Sequence, residues 1–301
     1  MPSWGIVTTV KAPEDQVLAF IAHHLSLGAA CIWIYFDDPD DPAYSKISML
    51  PRVKAVRCTD WYWLLRGGCS LHVSGRQVRN CKHAQRGCKL DWLCHIDVDE
   101  FLFAPEPVAD VLARVPATIP YLVMEPFEAL HDPDAADDIF NGHHFRGLLN
   151  RQHVKLQPTI FGKSAPLLEK GALAHTLGKS FCRVGVKKLI LDLHFASLNG
   201  EVLRSPFHPS LRLLHYHAQD PVAWKRALPF RLGKGGAYHS KAQQALHAYL
   251  TNANDQEISE FYANSMTLTP EKVALLRAND RLITTDLALR KKVAAMLEGR
   301  L

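Results

Sequence analysis

The stretch that decides the fold is Trp92–Phe103, with the sequence WLCHIDVDEFLF. Its first five residues form a largely apolar run that predicts a central strand of a parallel sheet, a strand covered on both faces. Three carboxylates, those of Asp97, Asp99 and Glu100, follow before the apolar run resumes. Ligands of parallel sheets bind beyond the carboxyl ends of the strands, so we expect a functional site here.

The spacing of the acidic residues indicates the kind of ligand. Asp97 and Asp99 are two positions apart, so on an extended chain both side chains would face the same way. Two converging carboxylates are unfavourable unless a positive group lies between them. A divalent cation that carries a phosphate-bearing substrate supplies that charge, because magnesium-type sites combine one or two carboxylates with phosphate oxygens. A solvated acidic turn is the alternative interpretation.

The residues before this stretch predict a β-α-β unit. Residues 5–10 and 30–36 are short runs rich in β-branched and aromatic residues, which are typical of strands. Between them lies an apolar helical stripe that ends at Gly28, so the two strands should be parallel. His24 lies on this stripe, and we expect a hydrogen-bonded core histidine rather than a ligand. The acidic turn at residues 37–42 either binds a ribose or base or is a solvated Asp-Pro turn.

The residues after the central stretch give fewer signals. Two Gly-Lys-Ser segments, at residues 162–164 and 178–180, lack the earlier glycine that a phosphate-binding P-loop needs. Residues 211–217 predict a strand whose end places His215 at the ligand edge of the sheet. Residues 270–301 predict helices, beginning at Thr269-Pro270-Glu271, that pack on the domain or on a partner subunit. Binding of this tail to a membrane surface is the alternative.

The overall composition narrows the classes of function. The chain has 301 residues, 48% of them hydrophobic, and a net charge of +5, which suits an ordinary globular protein. No run of basic residues resembles a nucleic-acid-binding arm, so no nucleic-acid partner is required. The seven cysteines form no C-x-x-C pair and predict free, mostly buried thiols in a reducing compartment. The sequence also lacks signal-peptide and transmembrane patterns, so we expect a cytoplasmic protein.

Taken together, these residues resemble the glycosyltransferase family 2-like proteins of the GT-A fold. The signature W-L-x-x-I-D-x-D-E-F matches at residues 92–101, and the likeness covers about residues 4–235. Further matches are Glu14, His24 and Gly28 of the opening unit, the acidic turn, Gly178-Lys179-Ser180 and the His215-Tyr216 pair. The family's usual asparagine before Glu14 is replaced here by Ala12-Pro13.

The resemblance implies a fold class and a domain organisation. The fold would be α/β, with a GT-A-like, Rossmann-related and mostly parallel central sheet flanked by helices. Residues 1–235 would form the catalytic domain, with a nucleotide-sugar half at about 1–104 and an acceptor half at about 105–235. Residues 236–301 would form a helical C-terminal extension outside the sheet.

The resemblance also implies an activity. A Mn²⁺- or Mg²⁺-dependent glycosyltransferase would move a sugar from a UDP- or GDP-linked donor to a hydroxyl of a glycan or another acceptor. The transfer would invert the anomeric centre and serve bacterial-type surface glycan or glycoconjugate synthesis. Implied metal ligands are Asp97, Asp99 and His215; implied donor-binding residues are Thr8, Lys11, Asp37, Asp38, Asp97 and Lys179; and Glu128 is the proposed base. A homo-oligomer and a peripheral membrane contact are further expectations.

Two other functions compete with the transferase. A metal-dependent phosphohydrolase or nuclease would also gather carboxylates and a histidine around an ion. A non-catalytic nucleotide-sugar-binding module would keep the acidic site but lack a base. For the transferase, we expect Asp97→Ala and Asp99→Ala each to abolish metal-dependent donor binding and to leave the fold intact.

Overall fold

A computed structural model of the chain describes residues 1–235 and 239–301. The predicted start of the C-terminal extension, at residues 236–238, lies outside the described residues. In chain order the first elements are β1 (Trp4–Val10), α1 (Glu14–Ser26), β2 (Cys31–Phe36), α2 (Ala43–Ile47), β3 (Val53–Arg57), α3 (Asp60–Leu64), α4 (Val73–Gly87), β4 (Trp92–His95), β5 (Glu100–Phe103), α5 (Val108–Ala113), β6 (Tyr121–Ala129) and β7 (His144–Gly147).

The next elements are a 3₁₀ helix (Arg151–Leu156), α6 (Gln157–Phe161), a second 3₁₀ helix (Gly162–Leu167), β8 (Lys179–Arg183), β9 (Leu189–Leu191), β10 (Ala196–Leu198), β11 (Glu201–Val202) and β12 (Phe207–His215). The described chain ends with α7 (Pro221–Phe230), a π-helix (Arg231–Gly235), α8 (Lys241–Asn252), α9 (Asp255–Met266), α10 (Pro270–Ala278), β13 (Leu282–Thr284) and α11 (Leu289–Leu297).

The chain forms two compact units. Unit one contains Met1–Glu125, Leu177–Leu213 and Ala288–Leu301, and unit two contains Pro126–Thr176 and Leu214–Leu287. Each unit is therefore assembled from separate segments of the sequence. The predicted nucleotide-sugar and acceptor halves stay predictions.

Unit one is built on a central sheet whose parallel part has the order β3-β2-β1-β4. Antiparallel β8 pairs with β4, and the first part of β6 pairs with β8. The predicted α/β class, with parallel strands at the centre flanked by helices, is confirmed. Because β2 and β4 lie on opposite sides of β1, the strand order reverses between β1 and β4. Strands β9, β10 and β11 form a separate antiparallel sheet.

Helix α1 follows β1 directly and covers the sheet of unit one. Pro13 precedes it and Glu14 and Asp15 occupy its first turn, where their negative charges favour the positive end of the helix dipole. The predicted core role of His24 is confirmed: its side chain is fully buried, Nδ1–H donates to the Phe20 carbonyl at 2.8 Å, and Nε2 accepts from the Leu102 amide at 3.1 Å.

The C-terminal helix α11 packs on α1 within unit one. The Lys292 ammonium donates to Nδ1 of His23 at 3.1 Å, while Nε2–H of His23 donates to the Leu102 carbonyl at 2.8 Å. Leu289 and Met296 of α11 are buried. The end of the chain is thus part of unit one, whereas the sequence predicts an appendage outside the sheet.

Unit two combines a small antiparallel sheet with most of the late helices. The end of β6 pairs with β7, and β7 pairs with β13. The predicted helical tail therefore contributes a strand, Leu282–Thr284, because that β-branched segment continues the open edge of β7. The predicted helix start at residues 269–271 is confirmed, since the Thr269 side chain accepts from the Lys272 amide.

All seven cysteines are free, and Cys58, Cys81, Cys88, Cys94 and Cys182 are buried, as predicted. Among the described residues, no helix has both the length and the apolar character needed to cross a membrane.

Candidate functional site

A cleft of about 340 Å³ lies at the carboxyl ends of β1, β2 and β4 in unit one. Its lining includes Lys11 after β1, Asp37 after β2, and Asp97 and Asp99 after β4, with Gln77 contributed by α4. This is the edge at which the strand order reverses, the place where ligands of parallel α/β sheets bind. The structure thus brings together four residues that the sequence predicts for one site.

A buried lysine lies behind the acidic segment. Lys179, only 1% exposed, places Nζ at 2.6 Å from Oδ2 of Asp97 and at 3.6 Å from Oε2 of Glu100. The other oxygen of Asp97 accepts a hydrogen bond from the Gln77 side chain at 2.6 Å. Glu100 in turn accepts from the Asp97 amide at 2.7 Å and so fixes the turn between β4 and β5.

The ionisation of this group follows from its surroundings. Burial by itself would raise the pKa of Asp97, but the attraction of Lys179 and of His95 holds that pKa well below its ordinary range. Burial would lower the pKa of Lys179, and the carboxylates of Asp97 and Glu100 raise it instead. His95 is buried beside Lys179, and its pKa is lowered to about 4. Near neutral pH the site therefore holds an ion pair next to a neutral imidazole.

The backbone conformation of Gly178 determines where the side chain of Lys179 lies. Its φ of +72° is rarely adopted by other residues, and an added Cβ would collide with the Met124 carbonyl oxygen. Strand β8 begins at the next residue, which directs the side chain of Lys179 into unit one beside Asp97. Lys179 is outside the lining of the cleft, so its position supports a role in holding Asp97.

Asp37 is engaged by a second cation. Arg76 of α4 forms a bidentate ion pair with it, with Nε to Oδ1 and Nη2 to Oδ2 both at 2.7 Å. The same guanidinium donates to the Ser70 carbonyl at 2.9 Å. Asp38 does not line the cleft, and its carboxylate accepts from the Asp40 amide within the turn. Asp37 thus belongs to the cleft, whereas Asp38 stabilises the acidic turn.

Alternation along β1 decides which threonine faces the cleft. Thr9 and Lys11 line it, whereas Thr8 is fully buried. Thr9 accepts a hydrogen bond from the Asn80 side chain at 2.8 Å. The structure therefore places Thr9 in the position that the sequence prediction gives to Thr8.

The acidic residues can be tested against the divalent cation that the resemblance implies. Asp99 lines the cleft and offers the carboxylate oxygens that Mn²⁺ and Mg²⁺ accept. Asp97 is less suited to direct ligation, because Gln77 and Lys179 each donate to one of its oxygens. The residues fit a site in which Asp99 would bind the ion, while Asp97, held by Gln77 and Lys179, would orient the turn that carries Asp99. Because Asp97 is part of a buried ion pair, the expectation that Asp97→Ala leaves the fold intact is not supported.

The remaining predicted residues belong to unit two. His215, at the end of β12, is buried, and its ring centroid is 5.2 Å from that of His175 and 5.1 Å from that of His217. Its predicted role as a metal ligand stays a prediction.

Glu128, the predicted base, lies in a buried network of unit two. Its carboxylate forms an ion pair with Arg146 at 2.8 Å and accepts from the amides of Leu173 and Ala174. Both partners of the ion pair are 3% exposed. Acting as a base would require Glu128 to leave a pairing that stabilises unit two, and its catalytic role stays a prediction.

Sequence reasoning missed several residues of the cleft. Gln77, Gln16 and Thr9 line it, and Arg76 orients Asp37. The polar residues of helix α4 carry no spacing in the sequence that distinguishes these roles. Alternation along β1 is a signal that could have separated Thr9 from Thr8.

The chain was also compared with known proteins. No protein-family model and no curated protein matches it. Among solved structures, HddC from Yersinia pseudotuberculosis is similar over 76% of this chain and 99% of HddC, with 11% sequence identity and a TM-score of 0.37. A likeness at this level establishes neither a shared fold family nor a shared activity.

Proposed function

We propose that the protein is a metal-dependent glycosyltransferase of the GT-A type, with its nucleotide-sugar donor bound in the cleft of unit one. The observation that carries the proposal is the convergence of Lys11, Asp37, Asp97 and Asp99 where the strand order reverses. A carboxylate-lined cleft binds a diphosphate only together with cations. Lys11 supplies one, and an ion at Asp99 would supply another.

The residues of the cleft have distinct roles in this proposal. Lys11 pairs with the donor diphosphate, and Asp37, held in one orientation by Arg76, accepts hydrogen bonds from the nucleoside. Asp97, fixed by Lys179 and Gln77, orients the turn that presents Asp99. A divalent ion at Asp99 would neutralise the charge that grows on the departing nucleoside diphosphate.

One observation favours a second candidate, a non-catalytic nucleotide-sugar-binding module. The proposed base, Glu128, is held in the buried ion pair with Arg146, and inverting transfer requires a base within reach of the acceptor hydroxyl. A module of this kind would bind the donor in the same cleft without catalysing its hydrolysis or the transfer of its sugar.

An assay of donor hydrolysis separates the candidates. The full-length protein is incubated with a panel of UDP- and GDP-sugars and Mn²⁺, and the released nucleoside diphosphate and sugar are measured, with a bis-aryl phosphodiester in parallel. The transferase predicts slow, metal-dependent hydrolysis of one donor, which Asp99→Asn abolishes and Glu201→Gln, an exposed control in β11, does not. Donor binding without hydrolysis would identify a binding module, and cleavage of the phosphodiester would identify a phosphohydrolase or nuclease.

A further inference from the structure

An apolar surface patch adjoins the cleft in unit one. It consists of Trp61, Leu64, Leu65 and Leu71, which are 67%, 65%, 65% and 96% exposed. Trp61, Leu64 and Leu65 follow helical spacing along and just after α3, so they lie on one side of it. Such a concentration of exposed large apolar residues marks an interaction surface, whereas single exposed apolar residues need no explanation.

The patch is held rigidly. Tyr62 and Trp63, on the other side of α3, are buried, and the Tyr62 hydroxyl donates to the side chain of Asn80 at 2.6 Å. The loop that carries Leu71 is fastened to α4, because Arg76 donates to the Ser70 carbonyl and Arg79 donates to the Gly68 carbonyl. The exposed apolar side chains are therefore presented by an ordered scaffold.

The stretch that carries the patch is strongly basic, although the exposed Asp60 precedes it at the start of α3. Residues 61–90 contain no aspartate or glutamate and carry six basic residues, Arg66, Arg76, Arg79, Lys82, Arg86 and Lys89. The formal charge of this stretch, with six basic and no acidic residues, exceeds the net charge of +5 of the whole chain. Arg76 is neutralised by Asp37, whereas Lys82, Arg86 and Lys89 are exposed.

We infer that this patch binds the surface of an anionic phospholipid bilayer. Aromatic and aliphatic side chains that enter the interface, together with lysine and arginine that attract anionic headgroups, are the two components of interfacial membrane binding. A bilayer accommodates separate protruding side chains such as those of Trp61 and Leu71 without a complementary groove. The six basic residues of this stretch outnumber the single exposed Asp60 at the start of α3, so its net charge favours an anionic surface.

The patch would bring the membrane close to the cleft. Val73, two residues beyond Leu71, lines the cleft, and Arg76 contacts both Asp37 and the loop of the patch. The membrane inference does not rest on the proposed function, because it uses only the exposure and charge of residues 61–90. Binding of a nucleoside diphosphate in solution is measured separately, and its failure would leave the membrane inference standing.

Trp61 provides a direct probe. The other five tryptophans, Trp4, Trp33, Trp63, Trp92 and Trp224, are at most 6% exposed. Vesicles of phosphatidylglycerol and phosphatidylcholine in equal parts are mixed with the full-length protein, and sedimentation measures binding. Brominated acyl chains then quench the fluorescence of a tryptophan that enters the bilayer, and Trp61→Phe should abolish this quenching.

The variants separate the apolar from the electrostatic contribution. Leu71→Ser should weaken binding to the anionic vesicles on the order of tenfold, and Lys82→Gln and Arg86→Gln by about fivefold each, with less salt dependence. Met49→Ser, at a 78% exposed residue outside the patch, is the matched control and should bind like the wild type. The inference is overturned if the wild type does not bind the anionic vesicles, if brominated lipid leaves Trp61 unquenched, or if Leu71→Ser binds like Met49→Ser. It is equally overturned if the patch instead joins two protein copies, seen as a dimer that Leu71→Ser dissociates while vesicles stay unbound.

Discussion

Replacing Asp97 with asparagine removes one of the two carboxylates that neutralise the buried ammonium of Lys179. Breaking a buried ion pair by removing one partner costs roughly 3–5 kcal/mol. The loss of stability here should be about 3 kcal/mol, because Glu100 remains 3.6 Å from Nζ and Asp97 itself is 29% exposed. Since about 1 kcal/mol shifts Tm by roughly 2–4 °C in a unit of this size, we expect Asp97→Asn to lower Tm by roughly 6–12 °C.

The pH dependence of this loss provides a second check. The folded-state pKa of Asp97 lies below its ordinary value of 3.8, so the stabilisation is fully present above that pH and is lost as the pH falls below it. The difference in Tm between wild type and Asp97→Asn should therefore be constant near neutral pH and narrow in acid. Differential scanning calorimetry across this range measures both effects.

A double-mutant cycle with Lys179→Met isolates the pair, because Met fills the buried site without charge. Asp97→Asn should cost far less in the Lys179→Met background than in the wild type. Glu201→Gln, which removes an exposed carboxylate, is the control and should leave Tm unchanged. Additive effects in the cycle, or a shift for Asp97→Asn no larger than that of the control, would refute the buried ion pair.

Three further predictions concern stability. Burial and the charge of Lys292 lower the pKa of His23 to about 3. The neutral form of His23 therefore stabilises unit one above pH 6.5, and this contribution is lost as the pH falls from 6.5 towards 3. Because Lys292 contributes to the lowered pKa, Lys292→Met should make the fall of Tm over this pH range less steep. Glu128→Gln should lower the free energy of unfolding by roughly 3–5 kcal/mol through the loss of its ion pair with Arg146, and Tm should fall with it. A purely catalytic role predicts lost activity at unchanged Tm. Deleting residues 288–301 should destabilise unit one by exposing the face of α1 that α11 covers, as a lower Tm would show, and a truncated chain as stable as the wild type would contradict this packing.

The local elements of unit one were predictable because each has a strong pattern of its own. The short apolar strands, the stripe of α1 and the buried approach to Asp97 are properties of neighbouring residues. Helical periodicity likewise indicated the core role of His24. The same kind of reasoning found Asp97, Asp99 and the acidic turn that contains Asp37, since residues after parallel strands meet at one edge of the sheet. Lys11 came from the resemblance to the GT-A family.

The missed features depend on contacts between residues that are distant in the chain. Lys179 is 82 positions from Asp97, and nothing in the sequence near Gly178 distinguishes a buried ion-pairing lysine from one that binds a ligand. Strand β13 has only three residues and forms because β7 offers an edge. The assignment of α11 to unit one likewise follows from packing on α1, which a pattern local to the tail does not contain.

The measurement that tests the central claim most directly is calorimetric titration of UDP and GDP into the full-length protein with and without Mn²⁺. If the cleft of unit one is a metal-dependent donor site, one of the two nucleotides binds only in the presence of Mn²⁺. Asp99→Asn then weakens that binding by roughly 10- to 100-fold, and Glu201→Gln leaves it unchanged. A metal-dependent donor site in this cleft is contradicted if neither nucleotide binds the wild-type protein with Mn²⁺, or if Asp99→Asn binds the nucleotide as tightly as the wild type does.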